Sequence, residues 1–298
     1  MSRDTLSWDH WRSFLAVLES GSLSAAAEQL GLTQPTLGRH IEALETGLET
    51  NLFVRSVRGL TPTDTALALK PQAEAMQSAA AALVRSASAP AEALSGTIRL
   101  TVSEFMGVHV IPGILAPFLA GHRDIDVELV LSDRTDDLSS READIAVRMV
   151  APTQDALVGL RIGSVRIGLY AHRSYVEKHG VPTSLAEAVT DYRFIGFDTQ
   201  MWVMEPLKEA GLPLRRDMFS LRTDQDAAQM ALLKAGAGIS GCHIPVANQM
   251  PDLVPVLHDQ FGFDLEMWLV MHEDLRRIAR MRALFDHLDQ GLRSYLGM

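Results

Sequence analysis

The chain has 298 residues, 47% apolar and 21% charged, which is enough for two or three domains with buried cores. A single cysteine, Cys242, excludes an intramolecular disulfide framework and a thiolate metal cluster. Met1 to Trp8 lack the basic-then-apolar pattern of an export signal, and no apolar run nears the roughly 20 residues needed to cross a bilayer, so a cytoplasmic location is expected. The net charge is -10; residues 1–90 contribute seven Lys and Arg against nine Asp and Glu. Nothing in that balance advertises phosphate binding, so a case for nucleic acid has to rest on where the cations stand.

Ser7 caps a first expected helix, with Trp11, Phe14, Leu15 and Leu18 at helical spacing and Gly21 as its stop. Ser22 caps a short second helix ending at Leu30, where Ala26 and Ala27 allow close packing. After Gly31-Leu32, Thr33 caps a third helix that tolerates Pro35 in its first turn and buries Leu37, Ile41 and Leu44. Two helices joined this closely form a helix-turn-helix. Asn51 to Leu60, broken by Arg58-Gly59, suits a two-stranded wing. Thr61 as N-cap, Pro62 and Asp64 then open an Ala-rich helix of about 28 residues, or about 42 Å, with a kink expected at Pro71 and a break at Ser86–Pro90.

From Thr97 the pattern alternates between strands and helices. Strands are expected at 98–102, 127–131, 145–147, 167–170, 194–197 and 268–271, and helices at 227–234 and 275–292.

Several segments together resemble the N-terminal module of LysR-type transcription regulators: Phe14-Leu15-Ala16-Val17, Gly21 to Ala27, Thr33-Gln34-Pro35-Thr36-Leu37, Arg39 to Glu45, Leu52-Phe53-Val54-Arg55 and Arg58-Gly59-Leu60-Thr61-Pro62. The remainder is similar to that family's effector domain through Gly96 to Leu100, Ala143 to Arg148 and Gly236 to Ser240. Gly38 departs from the family, which commonly has a small polar residue there, and Thr65 stands where a Gly is common. The resemblance implies an all-α winged helix-turn-helix at 1–64 and a linker and dimerisation helix at 62–91. It also implies an α/β, two-lobe, periplasmic-binding-protein-like effector domain at 95–298. Lobe I would comprise 95–165 and 269–298, lobe II 166–268, with crossovers near Gly163–Gly168 and Trp268–Met271.

The family places the third helix in the major groove of double-stranded promoter DNA. Ser24, Thr33, Gln34, Pro35, Thr36, Arg39 and His40 are then the candidate contacts, with Arg55 and Arg58 at the wing. Gln34 is suited to adenine, with a plain polar first-turn residue as the lesser alternative, and Arg39 is suited equally to guanine or a phosphate. The effector candidates are Ser103, Glu104, Phe105, Asp133 and Arg148 from the first lobe, and Phe197, Thr223, Asp224 and His243 from the second. Ser103 and Thr223 can hold an anion at helix starts or act as plain N-caps, and Arg148 can pair an anionic small molecule or Glu104. The family further implies a homodimer assembling to a tetramer, RNA polymerase among the partners to consider, no membrane, and no cofactor.

The alternative is a cytoplasmic solute-binding module without regulatory DNA binding, against which the N-terminal hairpin speaks. Gly236 to Gly241 has dinucleotide-binding spacing, yet a helix precedes it and a strand follows, the reverse of what that fingerprint needs, and Gly236 reads as a helix C-cap. Cys242-His243 is no nucleophile and base, because neighbours on a strand point to opposite faces. No enzymatic activity or metal site is expected.

Overall fold

Helices α1 (Trp8–Ser20), α2 (Leu23–Leu30) and α3 (Gln34–Leu48) form where caps and apolar spacing coincide. Gly21 and Gly31 end the first two in the left-handed conformation, φ 64° and 66°, which costs glycine least. The Leu32 N–H donates to Ala27 O at 2.8 Å, and the Thr33 hydroxyl accepts from the Thr36 N–H at 3.4 Å. The chain is thereby reversed into α3 within three residues. Phe14, Leu15, Val17, Ala26, Ala27, Leu37, Ile41 and Leu44 close one core, joined by Leu52 and Phe53. These observations come from a computed structural model that describes residues 6–56, 59–87, 90–132, 143–152, 157–199 and 215–298.

Strands β1 (Phe53–Ser56) and β2 (Gly59–Pro62) pair antiparallel, with Val54 opposite Thr61. This pairing corrects one expectation. Thr61 and Pro62 belong to the ladder, so the cap of the long helix α4 (Asp64–Ala87) is Thr63, whose hydroxyl accepts from the Ala66 N–H at 3.2 Å. The helix accordingly has 24 residues and continues through Pro71. Leu67, Met76, Leu83 and Val84 are exposed along it. Among the described residues no helix is long and apolar enough to cross a membrane.

The chain divides into two units, one built on Met1–Ala87 and one on Ser88–Ser139 with Ala143–Met298. The second contains β3 (Gly96–Val102), α5 (Glu104–His109), α6 (Ile111–Gly121), β4 (Ile125–Leu131), β5 (Ile145–Arg148) and β6 (Leu157–His172). Next come α7 (Arg173–His179), α8 (Leu185–Asp191), β7 (Phe194–Gly196), β8 (Phe219–Arg222), α9 (Asp226–Lys234), β9 (Ile239–His243) and α10 (Ile244–Ala247), followed by β10 (Leu253–Val256), β11 (Phe263–His272) and α11 (Ala279–Tyr295). Among the described residues the strand order is β4-β3-β5-β11-β6-β9-β7-β8, with β10 also on β6.

Two parallel sub-sheets, β4-β3-β5 and β9-β7-β8, are therefore joined through β6 and β11. Residues 157–161 of β6 pair with β11 at 268–272, residues 163–167 pair with it at 263–267, and Ile167–Ala171 then pair with β9. All four residues of β5 are buried, the pattern of a parallel strand covered on both faces. The amphipathic α11 buries Met281, Leu284, Leu288 and Leu292 in the same core as Ile98, Leu100 and Phe118.

Candidate functional site

In the first unit, α3 turns Leu37, Ile41 and Leu44 inward and leaves Gln34, Pro35 and Arg39 exposed. Thr36 is half-buried, its hydroxyl 2.9 Å from that of Thr33 and 3.4 Å from Arg39 Nη2, so the exposed side of the first turns carries a connected polar row. Ser24 is exposed near the start of α2. A Cβ at Gly38 would meet nothing within 4 Å, so the missing side chain leaves open space on the helix. His40 is the exception among the expected contacts: its ring turns to α1, with Nδ1 2.8 Å from the Ser13 hydroxyl and an edge-to-face contact with His10 at 5.0 Å. Burial, then His10, lowers its pKa from the ordinary imidazole value. Arg55 lies on β1, and Arg58 lies outside the described residues. Glu45, which the sequence did not single out, ties α3 to the wing, its Oε1 accepting the Leu52 and Phe53 N–H groups at 2.7 and 3.1 Å.

In the second unit the expected effector residues fall into three groups. Glu104 and Phe105 open α5 and meet the start of α9: the Glu104 carboxylate accepts the Asp226 N–H, and the Asp226 carboxylate accepts the Phe105 N–H at 3.3 Å. Each acid thus caps the other's helix, a favourable placement at the positive helix end. Asp226 was missed because only the fold brings position 226 to position 105. Phe105 also stacks on His243 with centroids 4.1 Å apart.

His243 is 6% exposed, and its Nδ1 lies 2.8 Å from the Tyr295 hydroxyl. Burial pushes its pKa down to about 3, with neighbouring His109 contributing, and pushes the Tyr295 phenol up. The ring therefore joins elements of the two sub-sheets, held by Phe105 and Tyr295. His109 packs beside Phe105 at 5.0 Å, its Nε2 enclosed with no hydrogen-bond partner among the described residues. Cys242 is buried and its thiol is raised to about 12 by desolvation, which leaves no thiolate for nucleophilic chemistry near neutral pH.

Asp224, Phe197 and Thr223 gather at the ends of β7 and β8. Asp224 accepts the Asp198 and Thr199 N–H groups at 2.8 and 2.9 Å together with the Thr199 hydroxyl, so its carboxylate pins that turn. Phe197 is half-buried beside it. Thr223 donates its N–H to Gly196 O at 2.9 Å, and its hydroxyl accepts from the Gln225 N–H at 3.2 Å. The cap position of α9 belongs to Gln225, so Thr223 stands three residues before that helix. Arg148 is buried at the end of β5 and donates to the Thr101 hydroxyl at 3.1 Å and the Val147 carbonyl at 3.2 Å. Ser103 precedes α5, half-buried, with no side-chain capping bond. Asp133 lies outside the described residues. Gly236 ends α9 at φ 72° ahead of β9, which is the helix-then-strand order that excludes the dinucleotide fingerprint.

The family described as "Bacterial regulatory helix-turn-helix protein, lysR family" matches residues 8–67, and that described as "LysR substrate binding domain" matches residues 91–293. The chain is 30% identical over 292 residues to the HTH-type transcriptional regulator CrgA of Neisseria meningitidis serogroup C, covering 94% of this chain and 95% of CrgA. It is 34% identical over 172 residues to an HTH-type transcriptional regulator of Xanthomonas campestris, a match spanning 57% of this chain and 49% of that protein. The solved CrgA structure from Neisseria meningitidis superposes with a TM-score of 0.60 at 24% identity, covering 95% and 98% of the two chains. Full-length CbnR, a LysR family regulator, gives 0.67 at 20% identity, covering 96% and 99%. With both halves matched in order, and with a helix-turn-helix followed by a two-part α/β domain, the chain belongs to the LysR family of DNA-binding transcription regulators, which are not enzymes.

Proposed function

We propose that α3 lies in the major groove of promoter DNA, with Gln34, Pro35, Thr36 and Arg39 toward base edges and Ser24 and Thr33 toward the backbone. Arg55 and Arg58 of the wing supply salt-dependent contacts that carry little sequence information. The observation that carries this reading is the hydrogen-bonded polar row Thr33, Thr36, Arg39, which α3 turns away from its buried Leu37, Ile41 and Leu44, with Gln34 exposed in the first turn. A solved complex of full-length CbnR with its target DNA, which this chain matches at a TM-score of 0.64 and 20% identity, supports the same fold in a DNA-bound relative.

A mildly acidic module needs a second copy to hold a duplex firmly, and two-fold pairing through the apolar residues exposed along α4 supplies it, in a homodimer that assembles to a tetramer. RNA polymerase is the partner through which an activator of this kind would act, and the working location is the cytoplasm. The effector domain occupies 95–298, with lobe I at 95–165 and 269–298 and lobe II at 166–268. A small molecule binds between the lobes, contacted by Ser103, Phe197, Thr223 and Arg148, and shifts the DNA-binding heads through a coupling of about 1 to 3 kcal/mol. Arg148 favours an anionic effector. Glu104 and Asp226 bring their own carboxylates to the starts of α5 and α9, so the anion is received by Arg148 and hydroxyls rather than at those helix ends.

The test is a gel-shift titration at several salt concentrations with the fragment upstream of the protein's own coding region. Affinity well above that for a scrambled duplex, falling with salt, is expected. Equal binding to both duplexes overturns the groove assignment.

A further inference from the structure

His40 follows Arg39 on α3, and its hydrogen bonding fixes where its proton sits. The Ser13 hydroxyl has one hydrogen, which it donates to the Asp9 carbonyl at 2.8 Å. Its lone pairs then face His40 Nδ1 at 2.8 Å, so Nδ1 carries the imidazole hydrogen. In the neutral ring Nε2 is therefore an acceptor, and the hydrogen bond described for this ring is made at Nδ1.

The neighbouring ring is fixed in the opposite sense. The Ser7 N–H donates to His10 Nδ1 at 2.9 Å, so that nitrogen is an acceptor tied to the start of α1. The two rings meet edge to face at 5.0 Å. The charged or titratable groups acting on His40 are His10 and Asp9 from α1 and Arg39 from α3; His10, Arg39 and burial favour the neutral ring, and Asp9 opposes them.

At Nε2 a neutral His40 has only a lone pair to offer a phosphate oxygen, and two acceptors repel. Protonation at Nε2 turns it into a donor while leaving Nδ1 on Ser13. We infer that His40 takes up one proton from solvent when a duplex binds and donates it through Nε2 to a backbone phosphate, so that DNA affinity rises as the pH falls. The inference rests on the proposed placement of α3 in the groove. It makes His40 a pH-dependent anchor alongside the constant charge of Arg39.

Because a phosphate contact is indifferent to sequence, a fluorescent duplex of arbitrary sequence serves as probe for the full chain at constant salt. Anisotropy titrations at about pH 8 and about pH 6 should show the dissociation constant falling several-fold toward acid, with about tenfold per pH unit as the ceiling for one proton. His40→Gln should lose that dependence. Calorimetry of the unsubstituted protein near pH 7, in two buffers of different ionisation enthalpy, should register proton uptake approaching one per bound DNA-binding domain, independently of how the variant folds. PH-dependence of full size in His40→Gln, or absence of uptake by the unsubstituted protein, overturns the inference alone. Absence of duplex binding at every pH overturns the groove placement with it.

Discussion

Acidification should loosen the effector domain through His243. Its folded pKa, about 3, lies below the ordinary imidazole value of 6.5. The unfolded chain therefore takes up the proton first, so the stability this residue allows is fully present above pH 6.5 and is lost progressively as the pH falls from 6.5 toward 3. At pH 5 the deficit is about 1.5 pH units, or about 2 kcal/mol, and no solvent discount applies to a ring 6% exposed. The physical source is the enclosure of the ring between Phe105 and Tyr295, which offers no water to an imidazolium. Hydrogen-exchange mass spectrometry at about pH 7.5 and about pH 5, corrected for intrinsic rates, should show peptides of β6 and β9 losing about 2 kcal/mol of protection. His243→Phe keeps a ring against Phe105 but cannot titrate; it leaves the Tyr295 hydroxyl unpaired, a cost of about 1 kcal/mol that does not vary over this pH range. Most of the acid-dependent loss should vanish in the variant, with the remainder belonging to His109, whose pKa burial also lowers. If His243→Phe shows the same loss between the two pH values as the unsubstituted chain, the burial argument is wrong.

Three further outcomes follow from the first unit. Arg39→Ala should weaken binding to a cognate duplex by about 1 to 3 kcal/mol, whereas Arg58→Ala should weaken cognate and scrambled duplexes alike; gel-shift titrations that show no difference for Arg39→Ala would refute the base contact. Gly38→Ala should stabilise the helix-turn-helix by roughly 0.5 to 1 kcal/mol, since the site is helical and a Cβ meets nothing there, and a lower unfolding midpoint in urea would contradict this. Glu45→Ala should cost about 1 to 3 kcal/mol by leaving the Leu52 and Phe53 N–H groups without their carboxylate, with Glu45→Gln retaining part of the loss; the readout is exchange protection at those two amides.

The N-terminal unit was almost wholly legible in the residues, because its decisive interactions are local. Ser22 and Thr33 cap within three residues of themselves, Gly21 and Gly31 end their helices, and the spacing of Leu37, Ile41 and Leu44 states which side of α3 is buried. The one local misreading, Thr61 in place of Thr63 as the cap, arose because two capping residues flank Pro62 and only cross-strand pairing with Val54 and Phe53 decides between them.

In the effector domain, the alternation in Ile98, Leu100 and Val102 and the single apolar face of the last helix announced strands and a helix that the structure contains. Sequence alone thus determined the helix-turn-helix, the family and part of the element order, whereas α5 to α8, β8 and β10 were not located in it. Only the tertiary structure decided that Glu104 meets Asp226, that His243 is enclosed by Phe105 and Tyr295, and that His40 turns to Ser13. Those pairs join residues 27 to more than 100 positions apart, and no periodicity along a chain encodes which distant side chain will satisfy a buried polar atom.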